Sequence, residues 1–284
     1  MSNIKRYPTA LTIAGSDSGG CAGIQADLKT FSAIGVFGTS AITSVTAQNT
    51  QEVRAIETLT PSIVQQQMEA VLDDMTVDAV KTGMLPSPEI IETIAATIDR
   101  YRLKNVIVDP VMVATSGARL TETSIGKAFR EELYRRLTLI TPNIPEAEAL
   151  SGISISSKDD FQAAAEVLLQ QGCSAVLIKG GHLPSTHAVD ILFRQNEAPL
   201  TFSAPHTDSI NLHGTGCTFS SAIAAYLALG QDLESAIRAA KIFITSAIQH
   251  GNDIVTGRGY GPVNHFFDPQ RLTGKQITKI TKEI

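Results

Sequence analysis

The sequence predicts an α/β protein with a mainly parallel central sheet and helices on both faces. Three observations carry this. Short β-branched or apolar runs alternate with segments whose apolar residues recur at helical spacing. The helical segments are about ten or more residues long, the length a crossover between parallel strands requires. The composition is 43% hydrophobic and 18% charged over 284 residues, an ordinary globular balance at a length that one large open sheet can absorb.

Taken in order, Ala10–Ala14 reads as a short strand that ends in the loop Gly15-Ser-Asp-Ser-Gly-Gly-Cys-Ala-Gly23. Ile24, Leu28 and Phe31 set a helix through Ile34, and Gly35 stops it. Thr39–Thr46 is a buried strand running out into Ala47-Gln-Asn-Thr50. Pro61 opens a helix through Val64, Met68 and Leu72. Asp78–Lys81 is a strand closed by Thr82-Gly-Met-Leu85, and Ser87-Pro88 caps and opens the next helix. Strands follow at Asn105–Asp109 and Leu137–Thr141, each broken by a proline. Ser157–Asp160 has the pattern of a capping box for a helix to Gln171. Ala175–Lys179 is a strand ended by Gly180-Gly181, and Val189–Arg194 with Leu200–Ser203 makes a hairpin. Two helices, Thr218–Leu229 and Leu233–His250, close a single domain over 1–272, and the polar tail from Thr273 is expected to fray.

Charge and cysteine usage exclude several functions. The net charge is −5 and no long basic run occurs, so nucleic acid is not an expected partner. Three widely spaced cysteines give neither a disulfide framework nor a C-x-x-C pair. No signal-peptide core and no membrane-length apolar stretch is present, which predicts a cytoplasmic protein. There is no Walker-type loop, no G-x-G-x-x-G, no H-E-x-x-H and no G-x-S-x-G.

In an open parallel sheet, ligands bind outside the carboxyl ends of the strands. Asp17, Gln48, Met84, Asp109, Asn143 with Glu146, and Lys179 all fall at such ends, so they should line one edge. His213-Gly-Thr-Gly-Cys217 joins them there: a glycine turn opening a helix leaves amide N–H groups aimed at an anion. A thiol in that field is expected to ionise more easily, although the same residues also fit a helix start with a small packed cysteine. Asn143-Ile-Pro-Glu146 suits either a magnesium element or a capping box. Lys179 can meet a phosphate or merely precede a turn.

Together these pieces resemble one enzyme family. Gly15–Asp27, Ala47-Gln-Asn-Thr50, Lys81-Thr-Gly-Met-Leu85, Asp109-Pro-Val-Met112, Thr141-Pro-Asn-Ile-Pro-Glu146, Lys179-Gly-Gly-His182, His213-Gly-Thr-Gly-Cys217 and Gly259-Tyr-Gly-Pro-Val-Asn-His265 are similar to the hydroxymethylpyrimidine/phosphomethylpyrimidine kinases of thiamin biosynthesis, within the ribokinase-like superfamily. The resemblance implies a homodimeric enzyme using ATP and Mg²⁺. Its substrates would be 4-amino-5-hydroxymethyl-2-methylpyrimidine and then the monophosphate of that alcohol. By the same resemblance, Cys217 lies beside the substrate hydroxyl as base, and the amides of Gly214, Thr215 and Gly216 form an anion hole. Glu146, Asn143 and Asp109 serve the metal, Lys179 and Lys241 lie near the phosphates, and Asn143 also serves the nucleotide. Gln48 and Asp27 bond the aminopyrimidine, beside Gly15, while Met84 and Met112 wall the ring.

Two residues depart from the family pattern. Cys21 stands where the family usually has glycine, and Thr115 where it often has lysine. A pyridoxal kinase of the same superfamily and a non-catalytic binding protein on the same fold are the competing readings. Cys217, Glu146 and Lys179 together weigh against the second.

Overall fold

The computed structural model describes residues 4–112, 125–157, 159–181 and 186–276. The chain begins with β1 (Lys5–Arg6), β2 (Thr9–Asp17), α1 (Gly23–Ile34), β3 (Phe37–Gln48) and β4 (Val53–Thr58). It continues through α2 (Pro61–Leu72), β5 (Ala79–Thr82), α3 (Pro88–Tyr101) and β6 (Val106–Val108). Next come α4 (Ile125–Ala128), running into a π-helical turn at Phe129–Leu133, then β7 (Leu139–Ile140), α5 (Ile144–Ser151) and α6 (Asp159–Gln170). The final part holds β8 (Ala175–Lys179), β9 (His187–Arg194), β10 (Leu200–Pro205), α7 (Thr215–Ala228), α8 (Leu233–Gln249) and β11 (Lys275–Gln276).

Nine strands form one sheet in the order β10-β9-β8-β7-β6-β5-β2-β3-β4. Pairings from β3 through β8 are parallel, and the antiparallel pairs β3–β4, β8–β9 and β9–β10 lie toward the two edges. The strand order reverses at β2, which has β3 on one side and β5 on the other. A crevice at the carboxyl end of such a strand is the natural ligand position.

Strand side chains alternate between two cores, as period-2 geometry demands. Leu11, Ile13, Val106, Val108, Val176 and Ile178 pack beneath α2, α3, α5 and α6. Ala10, Ile107, Ala175 and Leu177 pack on the opposite face with apolar residues of α1, α7 and α8. Helix α7 is apolar nearly all round because it lies buried against the sheet, α1 and α8.

Differences from the sequence reading have identifiable causes. Helix α7 starts at Thr215 rather than Thr218, so Gly216 and Cys217 lie within its first turn. Strand β4 was missed because this edge strand is exposed along most of its length and shows no alternation. The tail expected to fray is paired where described: Lys275 and Gln276 lie opposite Arg6 and Lys5, and Lys275 Nζ reaches Asp78 at 2.6 Å. His182 and Thr115 lie outside the described residues.

Candidate active site

The carboxyl ends of β2, β3, β5, β6 and β8 open into a cavity of about 820 Å³, closed on the far side by the start of α7 and by α8. Gly15 enters its wall at a bulge, where the β2–β3 register shifts between Ala14 and Ser16. Met84 follows β5 and lies against Gly15, and Met112 and Gln48 complete that side. Thr46 Oγ1 donates to Ser16 O at 2.7 Å and lies 3.3 Å from Gln48 Oε1, and Gln48 Nε2 lies 3.2 Å from His213 Nε2. One N–H and the carbonyl oxygen of the Gln48 amide remain for a ligand.

Acidic and basic groups gather at the other end. Asp109, just past β6, is buried; its Oδ1 accepts from Lys179 Nζ at 2.8 Å and Thr141 Oγ1 at 3.2 Å, and its Oδ2 from Ser220 Oγ at 3.1 Å. Burial opposes its charge, but Lys179 and Lys81 outweigh burial and hold the carboxyl below the ordinary range. Burial likewise works against the Lys179 ammonium, and the carboxylates of Asp109 and Glu146 raise its pKa above the ordinary value. Glu146 lies in the first turn of α5, where both sequence readings hold at once. It forms a capping box, accepting from Asn143 N–H at 2.8 Å while its own N–H donates to Asn143 Oδ1 at 2.9 Å, and it also lines the cavity. Burial, with Asp109 nearby and against the pull of Lys179, pushes Glu146 up to about 7. The Asn143 oxygen is committed to this cap. Through this cap Asn143 fixes the position of Glu146.

Helix α7 brings the glycine turn over these groups. Gly214 has φ +85°, and a Cβ there would collide with the Cys21 carbonyl, so only glycine fits. The expected anion hole is narrower than the sequence suggested. Thr215 N–H is spent on Leu212 O at 3.2 Å, whereas the amides of Gly214, Gly216 and Cys217 have no hydrogen-bond acceptor among the described residues. A Cβ on Gly216 would lie 3.4 Å from Lys179 Nζ, which places the first turn of α7 directly over that ammonium.

The Cys217 thiol departs from expectation. Enclosure of its sulfur pushes it up to about 11. Lys81 and the Gly23 N–H favour the thiolate, while Asp27 and Asp109 oppose it. The helix start alone does not make this a low-pKa thiol, because desolvation exceeds what the first turn supplies.

Two further expectations change. Asp27 does not reach the cavity. It is fully buried, with Lys81 Nζ at 2.9 Å from both oxygens, and Thr12 and Ser221 hydroxyls donating at 2.5 Å each. Its lone pairs are occupied, so it positions Lys81 instead of bonding a ring. Lys241 lines the cavity, but its Nζ is paired with Asp190 Oδ2 at 2.7 Å. Lys81 was the principal omission. A lysine within the short strand Ala79–Thr82, all four of whose residues are buried, sits where a charge needs a partner.

A family model described as phosphomethylpyrimidine kinase matches residues 17–264. The Geobacter sulfurreducens thiamine biosynthesis bifunctional protein ThiED is 51% identical over 257 residues. That match covers 90% of this chain but 52% of the other, so the chain spans about half the length of that relative. The Bacillus subtilis hydroxymethylpyrimidine/phosphomethylpyrimidine kinase is 48% identical over 258 residues, 90% of this chain and 94% of that protein. The solved ADP complex of Bacillus subtilis pyridoxal kinase has a TM-score of 0.84 at 40% identity, covering 92% of this chain and 98% of that one. The sheet and its two helical layers are thus the ribokinase-like arrangement.

Proposed function

The chain belongs to the phosphomethylpyrimidine kinase family, and from that premise we propose the two reactions it performs. It transfers a phosphoryl group from ATP to the hydroxymethyl group of 4-amino-5-hydroxymethyl-2-methylpyrimidine, and then phosphorylates the monophosphate to the pyrophosphate. The observation that carries this reading is one cavity with a ring-binding side at Gln48 and Met84, a charged side at Asp109, Glu146 and Lys179, and Cys217 with the α7 amides between them.

Each residue has a definable part. The amides of Gly216 and Cys217 and the Lys179 ammonium stabilise charge on the transferring group. Lys241, released from Asp190 or sharing it, adds positive potential. Cys217 takes the alcohol proton late, in a loose transition state, and Lys81 beneath it balances the charge that the thiolate carries. Asp109 and Glu146 fit Mg²⁺, being hard oxygen donors that line one cavity, with burial favouring the neutral form of Glu146 in the cation's absence. That ion would neutralise phosphate charge and orient its oxygens.

Glu146 gives a test of the metal assignment. Its folded pKa, about 7, lies above the ordinary 4.5, so the unfolded chain releases this proton first as pH rises. Stability therefore falls through that window, by about 3 kcal/mol at most. Glu146→Gln escapes the loss while keeping an acceptor for Asn143 N–H. Thermal unfolding without metal should show the variant more stable than the parent at pH 8 and no more stable at pH 4. Kinetic assays should show that it needs more Mg²⁺ for half-maximal rate. Unchanged Mg²⁺ dependence would reduce Glu146 to its capping role.

The pyridoxal kinase neighbour supports a second reading, activity on pyridoxal. The Gln48 amide offers a donor and an acceptor side by side, matching a ring nitrogen next to an exocyclic amine; pyridoxal presents a phenolic oxygen and an aldehyde instead. Competing the two alcohols in one assay should show preference for the aminopyrimidine. In Gln48→Ala that preference should weaken through loss on the pyrimidine side. Equal use of both by the parent would put the pyridoxal reading first.

The assembly in this reading is a homodimer in the cytoplasm, with no nucleic-acid or membrane partner. No helix among the described residues is long and apolar enough to cross a membrane.

A further inference from the structure

Beside the ring-binding side of the cavity, three ligating side chains of different chemistry meet. Asp17 ends β2, Cys21 lies in the loop before α1, and His213 bridges to Pro262 just before α7. All three are buried, and one ligand atom from each lies within 4.8 Å of the others. His213 Nε2 is 4.0 Å from Asp17 Oδ2. We propose that Asp17, Cys21 and His213 form a binding site for a thiophilic divalent cation of the Zn²⁺ class.

The donor set selects the ion. Thiolate and imidazole favour Zn²⁺ over Mg²⁺, which takes hard oxygen ligands such as those of Asp109 and Glu146. Tetrahedral zinc with a sulfur, a nitrogen and an oxygen ligand places its donors roughly 3.2–3.8 Å apart. The three atoms need only a modest inward movement to reach that.

The surroundings are those of a prepared site. Asp17 is fixed by amides of its own loop: Gly19 N–H donates to Oδ1 at 2.9 Å, and Cys21 and Ala22 N–H to Oδ2 at 3.0 and 2.8 Å. Carboxylates oriented by such hydrogen bonds are typical of metal centres. Cys21 Sγ has one weak contact among the described residues, to Gly19 O at 3.7 Å. A fourth position is left for water. An ion there claims the His213 nitrogen that faces Gln48, which ties occupancy to the side of the cavity that holds the ring.

Titrating the metal-free full chain with Co²⁺, a spectroscopic substitute for Zn²⁺, tests this. A thiolate-to-cobalt charge-transfer band should grow to one equivalent and vanish on adding Zn²⁺. The band should be lost in Cys21→Gly and kept in Cys173→Ala and Cys217→Ala. Cys21→Ser serves in place of Cys21→Gly if glycine disturbs the loop. His213→Asn should weaken affinity by about 10–100-fold. Absence of the band in the parent, or its survival when the Cys21 thiol is removed, overturns the proposal.

Discussion

Cys217→Ala is expected to lower turnover by ~10²-fold or more while leaving nucleotide affinity nearly unchanged. The thiol sits within the first turn of α7, between the free amides and the ring side of the cavity. Its pKa of about 11 in the free protein means that the thiolate is scarce near neutrality. Parent turnover should therefore climb with pH across the alkaline range, as the thiolate fraction grows. The alanine variant should lack that rise. Cys217→Asp should retain more activity than Cys217→Ala, because a carboxylate can accept the same proton. Rate profiles of the three proteins from neutral to alkaline pH provide the measurement. A Cys217→Ala enzyme that turns over like the parent would reduce the thiol to packing.

Lys81→Met is expected to destabilise the fold by about 3–5 kcal/mol, the scale for removing one partner of a buried ion pair. Lys81 and Asp27 are both inaccessible to solvent, and Asp27 also takes the hydroxyls of Thr12 and Ser221. Methionine fills similar volume but leaves the Asp27 charge without its counter-ion. Urea unfolding should show a large fall in midpoint with little change in slope. Adding Asp27→Asn to Lys81→Met should recover part of the loss, since it removes the orphaned charge. Near-parent stability in the single variant would mean that the pair is not held ionised by its surroundings. Loss of the ammonium should also push the Cys217 thiol higher, displacing whatever pH dependence remains to more alkaline pH.

Much of the site was legible because β-strand ends are punctuated. Asp109 before a proline, Asn143 after one, Lys179 before two glycines and Gln48 after a β-branched run all mark where strands stop, and the parallel sheet brings those stops to one edge. What each residue does there was less legible. Asp27, Lys81 and Lys241 are committed to partners on other elements, and sequence spacing carries no trace of pairings such as Asp27 with Ser221. The Cys217 expectation failed for a similar reason. The helix start is written in the glycines, but the burial that raises the thiol, and the opposing charges of Lys81, Asp27 and Asp109 around it, come from segments far away in sequence. Edge strand β4 escaped because its exposed residues answer to no core.

The order of strands at β2 has a consequence for how the molecule comes into being. Ala10 pairs with Gly38 on one side and Ala79 on the other, and Asp27 accepts from Ser221, 194 residues further along the chain. Contacts so distant in sequence must overcome loop-closure entropy before they stabilise anything, which makes such topologies slow to fold. Asp27 and Lys81 come from the first third of the chain, whereas the helix bearing Cys217 arrives in the last. A ribosome must therefore release most of this protein before the pocket exists, and a partly made chain holds no competent pocket in which ATP could be spent without a product.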